Sequence, residues 1–302
     1  MILNAVKSLQ LSERVRFPHS IDINPTALCN LHCSFCWGPD HTTLDSLTAE
    51  DWEQVIRFFA HHGTNAVVFT GGEPLIRKDI SRLIEFAKCL RMRITLSTNS
   101  LLLRRRADQI LPFVDEIGIP LDGSSAVNNS RMRLGNSCAF ASALDAMHFV
   151  RSHYGNIEIT VRTVVSQINK HDISSIGELL YTLRDFLDRW KLYQFTPVSI
   201  GAIHRQEHEI DTQEFNTLVS TLELVYPHMP ITSYSVDQRP GRYVFVGPEG
   251  NIFGVAADGT HEVFGNWKEL LDGKLTSILE ERVDAKRNSI HAHSQGKQTQ
   301  AA

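Results

Sequence analysis

Short apolar runs alternate, through the first two thirds of the chain, with longer segments whose apolar positions recur every three or four residues, a rhythm that predicts alternating strands and helices. Ser20-Ile21-Asp22-Ile23-Asn24 alternates polar and apolar like a short strand and ends at Pro25. Thr48-Ala49-Glu50-Asp51 has the form of a helix start, and Trp52, Val55, Ile56 and Phe59 fall on one face of the helix that follows, which Gly63 stops near His62. Ala66 to Phe69 is continuously apolar, as a buried parallel strand is. Further helices are predicted near Asp79 to Arg91, Leu103 to Leu111, Phe140 to His153 and Ile173 to Arg189, with strands at Ile94 to Ser97, Val114 to Leu121, Ile157 to Val165 and Lys191 to Phe195. These make six strand-helix units when the segment after Pro25 is counted as the first crossover. The pattern predicts an α/β fold with a parallel sheet and right-handed crossovers, an open partial (β/α)6 barrel whose ligands lie beyond the strands' carboxyl ends.

After Pro197 the rhythm changes. A helix is predicted over about Thr212 to Tyr226 and short strands over about Ile231 to Phe264, with a hairpin turning at Gly247-Pro248-Glu249-Gly250. The expected organisation is an N-terminal extension (1–17), an α/β core (18–200), a small antiparallel α+β C-terminal cap (201–285) and a disordered polar tail (286–302). The 302 residues, 42% of them hydrophobic, suffice for one large domain and an appendage. A formal charge of -4 gives no basic surface for nucleic acid. The first residues lack the apolar region of a signal peptide, and no run of about 18 apolar residues suggests a membrane span. Five cysteines without an export signal fit the reducing cytoplasm. Cys89, inside a predicted helix, reads as core, and Cys138 as packed at a helix start rather than reactive.

The remaining three cysteines, Cys29, Cys33 and Cys36, fall within eight positions, a density that points to a metal centre. A closed zinc site or an electron-transfer cluster normally takes four protein ligands, whereas three cysteines on a four-iron cubane leave one iron open to a small molecule. A zinc knuckle completed by His32 or His41 is the alternative. One strand later, the glycines of Gly71-Gly72-Glu73-Pro74 permit close approach of a ligand to the backbone, although a Gly-Gly turn alone is a common loop.

The spacing C-x3-C-x-Phe-C, with Phe35 before the last cysteine, resembles the signature of the radical S-adenosylmethionine (SAM) superfamily, and Gly71-Gly72-Glu73-Pro74 resembles its GGEP motif. The resemblance runs from about Ser20 to Pro197. It implies a [4Fe-4S] cluster on Cys29, Cys33 and Cys36, with Gly71, Gly72, Glu73 and Pro74 holding the amino group of SAM. It also implies one-electron cleavage of SAM to a 5'-deoxyadenosyl radical that takes hydrogen from a substrate, and a flavodoxin or ferredoxin-type reductant. Ser97-Thr98-Asn99 is similar to the superfamily's hydroxyl and amide positions near the SAM carboxylate and ribose, and Arg162 to its carboxylate-binding arginine, a buried structural ion pair being the alternative. Pro120-Leu121-Asp122-Gly123 resembles a strand-end S-L-D-G with Pro120 in place of serine, which leaves Asp122 for a ribose or substrate hydroxyl. Arg133 resembles a common loop arginine, and the sixth strand, where Lys191 and Gln194 interrupt an apolar run, resembles its counterpart in viperin-type enzymes. These three are the candidate substrate contacts. Arg239, Arg242 and Lys170 could supply positive charge for an anionic substrate, but are read as exposed basic residues, which usually do nothing specific. Val246 to Val255 with Phe264 to Trp267 resembles a SPASM/Twitch extension, but no cysteine follows Cys138 to carry an auxiliary cluster. The expected substrate is a small polar metabolite of nucleotide, nucleoside or sugar type in a biosynthetic pathway; a ribosomally made peptide and a non-catalytic metal module are the alternatives.

Overall fold

A computed structural model describes residues 17–284 together with Arg287 and Asn288. The N-terminal extension before Phe17 and the tail after Asn288 lie outside the described residues.

Seven strands run parallel: β1 (Ser20–Ile23), β2 (Ala66–Phe69), β3 (Arg93–Ser97), β4 (Glu116–Pro120), β5 (Glu158–Val165), β6 (Arg189–Gln194) and β7 (Ile231–Tyr234). They pair in chain order. Helices Ala49–His61, Ile80–Cys89, Leu103–Ile110, Ala139–His153, Ile173–Thr182 and Thr212–Val225 form the crossovers, and each buries an apolar stripe. The Thr48–Asp51 capping box closes the start of the first of these.

Alternation within the strands decides which side chains face the site. On β1, Ile21 and Ile23 join the main apolar core, while Asp22 and then Asn24 line a cavity. Ser97 on β3, Gly118 and Pro120 on β4, Arg162 on β5 and Tyr193 on β6 line the same cavity. The polar positions thus point inward and the apolar ones outward, beneath the helices.

The C-terminal part carries the antiparallel strands expected of the cap, and they are continuous with the core sheet rather than set apart from it. β7 pairs parallel with β6, because Thr212–Val225 makes another full crossover. β8 (Phe245–Val246) pairs parallel with β1, and only β9 (Asn251–Val255) and β10 (His261–Asn266) continue antiparallel. The result is one ten-stranded sheet ordered β10-β9-β8-β1-β2-β3-β4-β5-β6-β7, so the region after Pro197 extends both edges of the core sheet. Its curvature brings Arg239, which follows β7, over Tyr193 of β6 and Trp37 of the cysteine loop.

Three further expectations are corrected. Cys89 is exposed, since the core stripe of its helix is Ile80, Leu83, Ile84 and Ala87 and position 89 faces away from it. Cys138 is also exposed, standing outside the helix it precedes. Within the stretch read as a disordered tail, Asn288 is fully buried: its side chain accepts from Ser20 N–H at 2.8 Å and donates to the carbonyls of Ser20 and Arg242 at 3.0 and 2.9 Å. It fastens the chain's end to β1.

Candidate active site at the carboxyl ends of the strands

The cysteine loop leaves β1 at Pro25 and is tied back through Asp45, which accepts from Thr26 Oγ1 at 2.5 Å and Ala27 N–H at 2.8 Å. Cys29, Cys33 and Cys36 are free thiols on one wall of the cavity. Main-chain donors already point at two of the sulfurs, Leu31 N–H at Cys29 and Gly38 N–H at Cys36, at 3.4 and 3.3 Å. Among the described residues no three His, Cys, Asp or Glu side chains gather as a single metal ion requires. Burial pushes all three thiols up, Cys33 to about 11, and the Arg133 guanidinium opposes that shift at each. Ligation needs thiolate, so a fixed cation beside all three is what a cluster site requires. Phe35 packs with Leu31, Cys33, Met132 and Phe195 and shields the sulfurs.

The two glycines serve the loop itself. Gly71 adopts φ +108°, and a Cβ on Gly72 would stand 2.2 Å from the carbonyl oxygen of Leu28. Only glycine lets this turn lie against the cysteine loop, where Gly72 N–H donates to Thr26 O and Glu73 N–H to Leu28 O. Both glycines line the cavity, whereas Glu73 and Pro74 do not. The Glu73 carboxylate is turned inward and already saturated, accepting from Leu75 N–H (3.0 Å), Thr98 Oγ1 (2.7 Å) and Asn99 N–H (2.7 Å). It locks the β2 and β3 loops together. Burial, opposed by these donors, raises its carboxyl from 4.5 to about 7. Between those two values the folded chain keeps a proton that the unfolded chain has lost, so stability falls as pH rises through that window. Glu73→Gln is therefore expected to flatten the pH dependence of thermal unfolding of the cluster-free protein from pH 5 to 7.

Ser97, Asn99 and Arg162 line the cavity as expected. Arg162 Nη1 donates to Ser97 Oγ at 3.1 Å, Nη2 lies 3.6 Å from Glu116 Oε1, and Nε is buried without an acceptor. It crosses directly above Gly118, where a Cβ would stand 2.4 Å from its guanidinium carbon. Arg162 thus holds an ion pair and faces the cavity. Asn99 Nδ2 donates to Asn30 Oδ1 at 2.6 Å, joining β3 to the cysteine loop.

Four sequence candidates are engaged by other parts of the protein. Asp122 is fully buried and outside the cavity lining; it accepts from Arg133 Nε at 2.6 Å and Val164 N–H at 2.7 Å, so it holds Arg133 in place. Arg133 sits beside the thiols with its guanidinium 5.1 Å from the centre of the Phe35 ring, a partner for the sulfurs. Lys191 does not line the cavity, and its ammonium donates to Glu116 Oε1 at 3.0 Å, which also accepts from Thr160 Oγ1 at 3.0 Å. Burial alone would raise the Glu116 carboxyl, but Lys191 and Arg162 outweigh it and hold it well below the usual range. Lys191→Met is expected to cost about 2 kcal/mol in denaturant unfolding by removing one charged hydrogen bond from this carboxylate, which keeps Arg162 and Arg93 beside it, with SAM affinity little changed. Gln194 does line the cavity, yet its amide donates to Ile210 O and Thr212 Oγ1 and its oxygen accepts from Val236 N–H.

Sequence reasoning missed the aromatic part of the lining: Trp37, Tyr193, Tyr243, Phe245, Phe253 and His261. The i, i+2 spacing of Tyr243 and Phe245 is the one local sign that these rings share a face. Arg239 and Arg242, read as exposed, are 2% and 6% exposed.

A curved parallel sheet that gathers three thiols, a glycine turn and a buried arginine at its carboxyl end defines an α/β enzyme built around a metal centre. Residues 23–180 match the model of the radical SAM superfamily, and the chain belongs to that superfamily. Its cofactors are a [4Fe-4S] cluster and SAM. The chain is 39% identical over 241 residues to GTP 3',8-cyclase of Alkaliphilus metalliredigens, covering 76% of this chain and 73% of the cyclase. It is 25% identical over 275 residues to an S-adenosylmethionine-dependent nucleotide dehydratase of Lacinutrix mariniflava, covering 85% of this chain and 54% of the dehydratase. Another curated relative, an Fe-coproporphyrin III synthase, is spanned over only 39% of its length. The crystal structure of Streptococcus suis SuiB bound to S-adenosylmethionine shares the fold, with a TM-score of 0.69 at 15% identity over 98% of this chain and 73% of SuiB. Among the described residues no helix is long and apolar enough to cross a membrane.

Proposed function

We propose that Cys29, Cys33 and Cys36 hold the cluster, that Gly71, Gly72, Ser97, Asn99 and Arg162 hold SAM, and that the enzyme takes hydrogen from a small polar metabolite of nucleotide, nucleoside or sugar type. The observation that carries this reading is that the thiols, the glycine turn and Arg162 line one cavity together with a group of aromatic rings. When bound, the reduced cluster and SAM supply the 5'-deoxyadenosyl radical. The chain's own residues bind and shield. Arg162, with Ser97 beside it, offers a guanidinium to the SAM carboxylate. The Gly71-Gly72 turn offers main-chain polar groups to its amino group. Arg133 balances the charge of the thiolates, and Phe35 with Phe195 keeps water from them.

Two relatives whose names specify a nucleotide substrate support the metabolite class. A flavodoxin or ferredoxin-type protein in the cytoplasm would deliver the electron. The test is deuterium transfer: the reconstituted enzyme is incubated with SAM, reductant and deuterated pools of nucleotides, nucleosides, sugars or peptides. Deuterium in 5'-deoxyadenosine from one of the first three pools is the expected result, and transfer from peptides alone would overturn the substrate class.

A further inference from the structure

Arg239 has a charge that none of these roles uses. It follows the short turn Val236–Gln238 and is 2% exposed, with its guanidinium 4.5 Å from the centre of the Trp37 ring and 5.8 Å from that of Tyr193. Nη2 donates to the carbonyl of Gln194, and Nε is buried without an acceptor. The ionisable groups that act on it are Tyr243, Tyr193 and Arg242, none of them a carboxylate. Burial pulls its pKa down, yet a guanidinium remains charged at any pH the fold meets. A buried charge without a counter-ion is costly, so it marks a place where an anion is to be received.

The other two arginines of the cavity are engaged. Arg133 lies on Asp122 and beside the thiols, and Arg162 between Ser97 and Glu116. Around Arg239 the wall consists of rings. Phe245 stacks on Phe253 at 5.1 Å and on Tyr243 at 5.6 Å, with interplanar angles of 19° and 22°. Trp37 Nε1 donates to His261 Nε2 at 2.7 Å; burial pushes this imidazole down to about 4, so it is a neutral acceptor at neutral pH. Apart from Trp37 and Tyr193, the rings and Arg239 itself come from residues 239–261, beyond the 23–180 span that matches the superfamily. All of the wall but Trp37 therefore lies outside the span that carries the cysteines and the glycine turn. A guanidinium with no carboxylate partner among the described residues, beside aromatic surface, suits a phosphate attached to a planar base.

Resting on the radical SAM reading of the cavity, we propose that this wall is the substrate subsite and takes a nucleoside phosphate, Arg239 binding the phosphate and the rings flanking the base. The probes are ATP, GTP, CTP and UTP, their nucleosides and inorganic pyrophosphate, titrated calorimetrically into protein loaded with cluster and SAM. At least one triphosphate should bind about tenfold or more tightly than its nucleoside. Arg239→Gln should remove that difference, and Arg239→Lys should restore part of it. SAM affinity, measured on the same samples, should hold in both variants and so reports that they are folded and loaded. Four results would overturn the proposal: no nucleotide binding by loaded wild type, unchanged nucleotide binding in Arg239→Gln, pyrophosphate binding as tight as that of any nucleotide, or an equal loss of SAM and nucleotide affinity in both variants. Failure of wild type to bind SAM at all is a separate outcome, which removes the reading of the cavity and the proposal with it.

Discussion

Replacing Cys29, Cys33 and Cys36 together with alanine is expected to abolish iron binding and to reduce SAM cleavage to that of a protein-free control. In the proposed site no neighbour can replace a lost thiolate, because among the described residues no other cysteine lines the cavity. His41 also lines it, but one imidazole nitrogen cannot stand in for three thiolates. The fold should survive the change. The main apolar core contains none of the three residues, and Cys33 alone of them is counted among the buried members of the small cluster around Phe35. Iron and sulfide content, visible absorbance and 5'-deoxyadenosine report the loss, and an unchanged far-ultraviolet dichroism spectrum shows that it is local. Cleavage retained by the triple variant would refute the assignment of the ligands.

The second large effect is on stability. Asp122→Ala is expected to cost about 3–5 kcal/mol, since it leaves the Arg133 guanidinium buried without its carboxylate and the Val164 N–H without its acceptor. Asp122→Asn keeps an acceptor for Val164 and loses only the charge, so it should fall between Ala and wild type. Urea unfolding of the cluster-free protein measures both. The cluster should also form more slowly in Asp122→Ala, because the cation that favours thiolate beside Cys33 is no longer held. A ribose or substrate contact at Asp122 would instead leave stability intact and weaken ligand binding.

These side chains show what can be read from the chain and what cannot. The alternation of Ser20 to Asn24 revealed both the strand and its inward face, and the cysteine and glycine motifs fell at the ends of β1 and β2, where the fold needs them. Glu73 and Asp122 were singled out as ligand contacts, and Lys191 as a substrate contact on a strand whose polar groups need partners. Sequence does not say whether a partner is a ligand or another part of the protein, and here Thr98 and Asn99, Arg133, and Glu116 supply it. The burial of Arg239 was unreadable for a related reason. It depends on the sheet curving so that the segment after β7 meets the loop after β1, a contact between residues about two hundred positions apart. The hairpin of β8 and β9 was legible with its turn, but the parallel pairing of β7 with β6 and of β8 with β1 was not, because a run of two or four residues carries no mark of the neighbour it will join.

The most direct test of the central claim is 5'-deoxyadenosine formation. The chain is reconstituted anaerobically with iron and sulfide, its cluster content is checked, and dithionite and SAM are added with and without a nucleotide pool. The account predicts 5'-deoxyadenosine above the triple-cysteine control, increased by the pool that contains the substrate. A full four-iron cluster that neither binds SAM nor yields 5'-deoxyadenosine under either condition would contradict it.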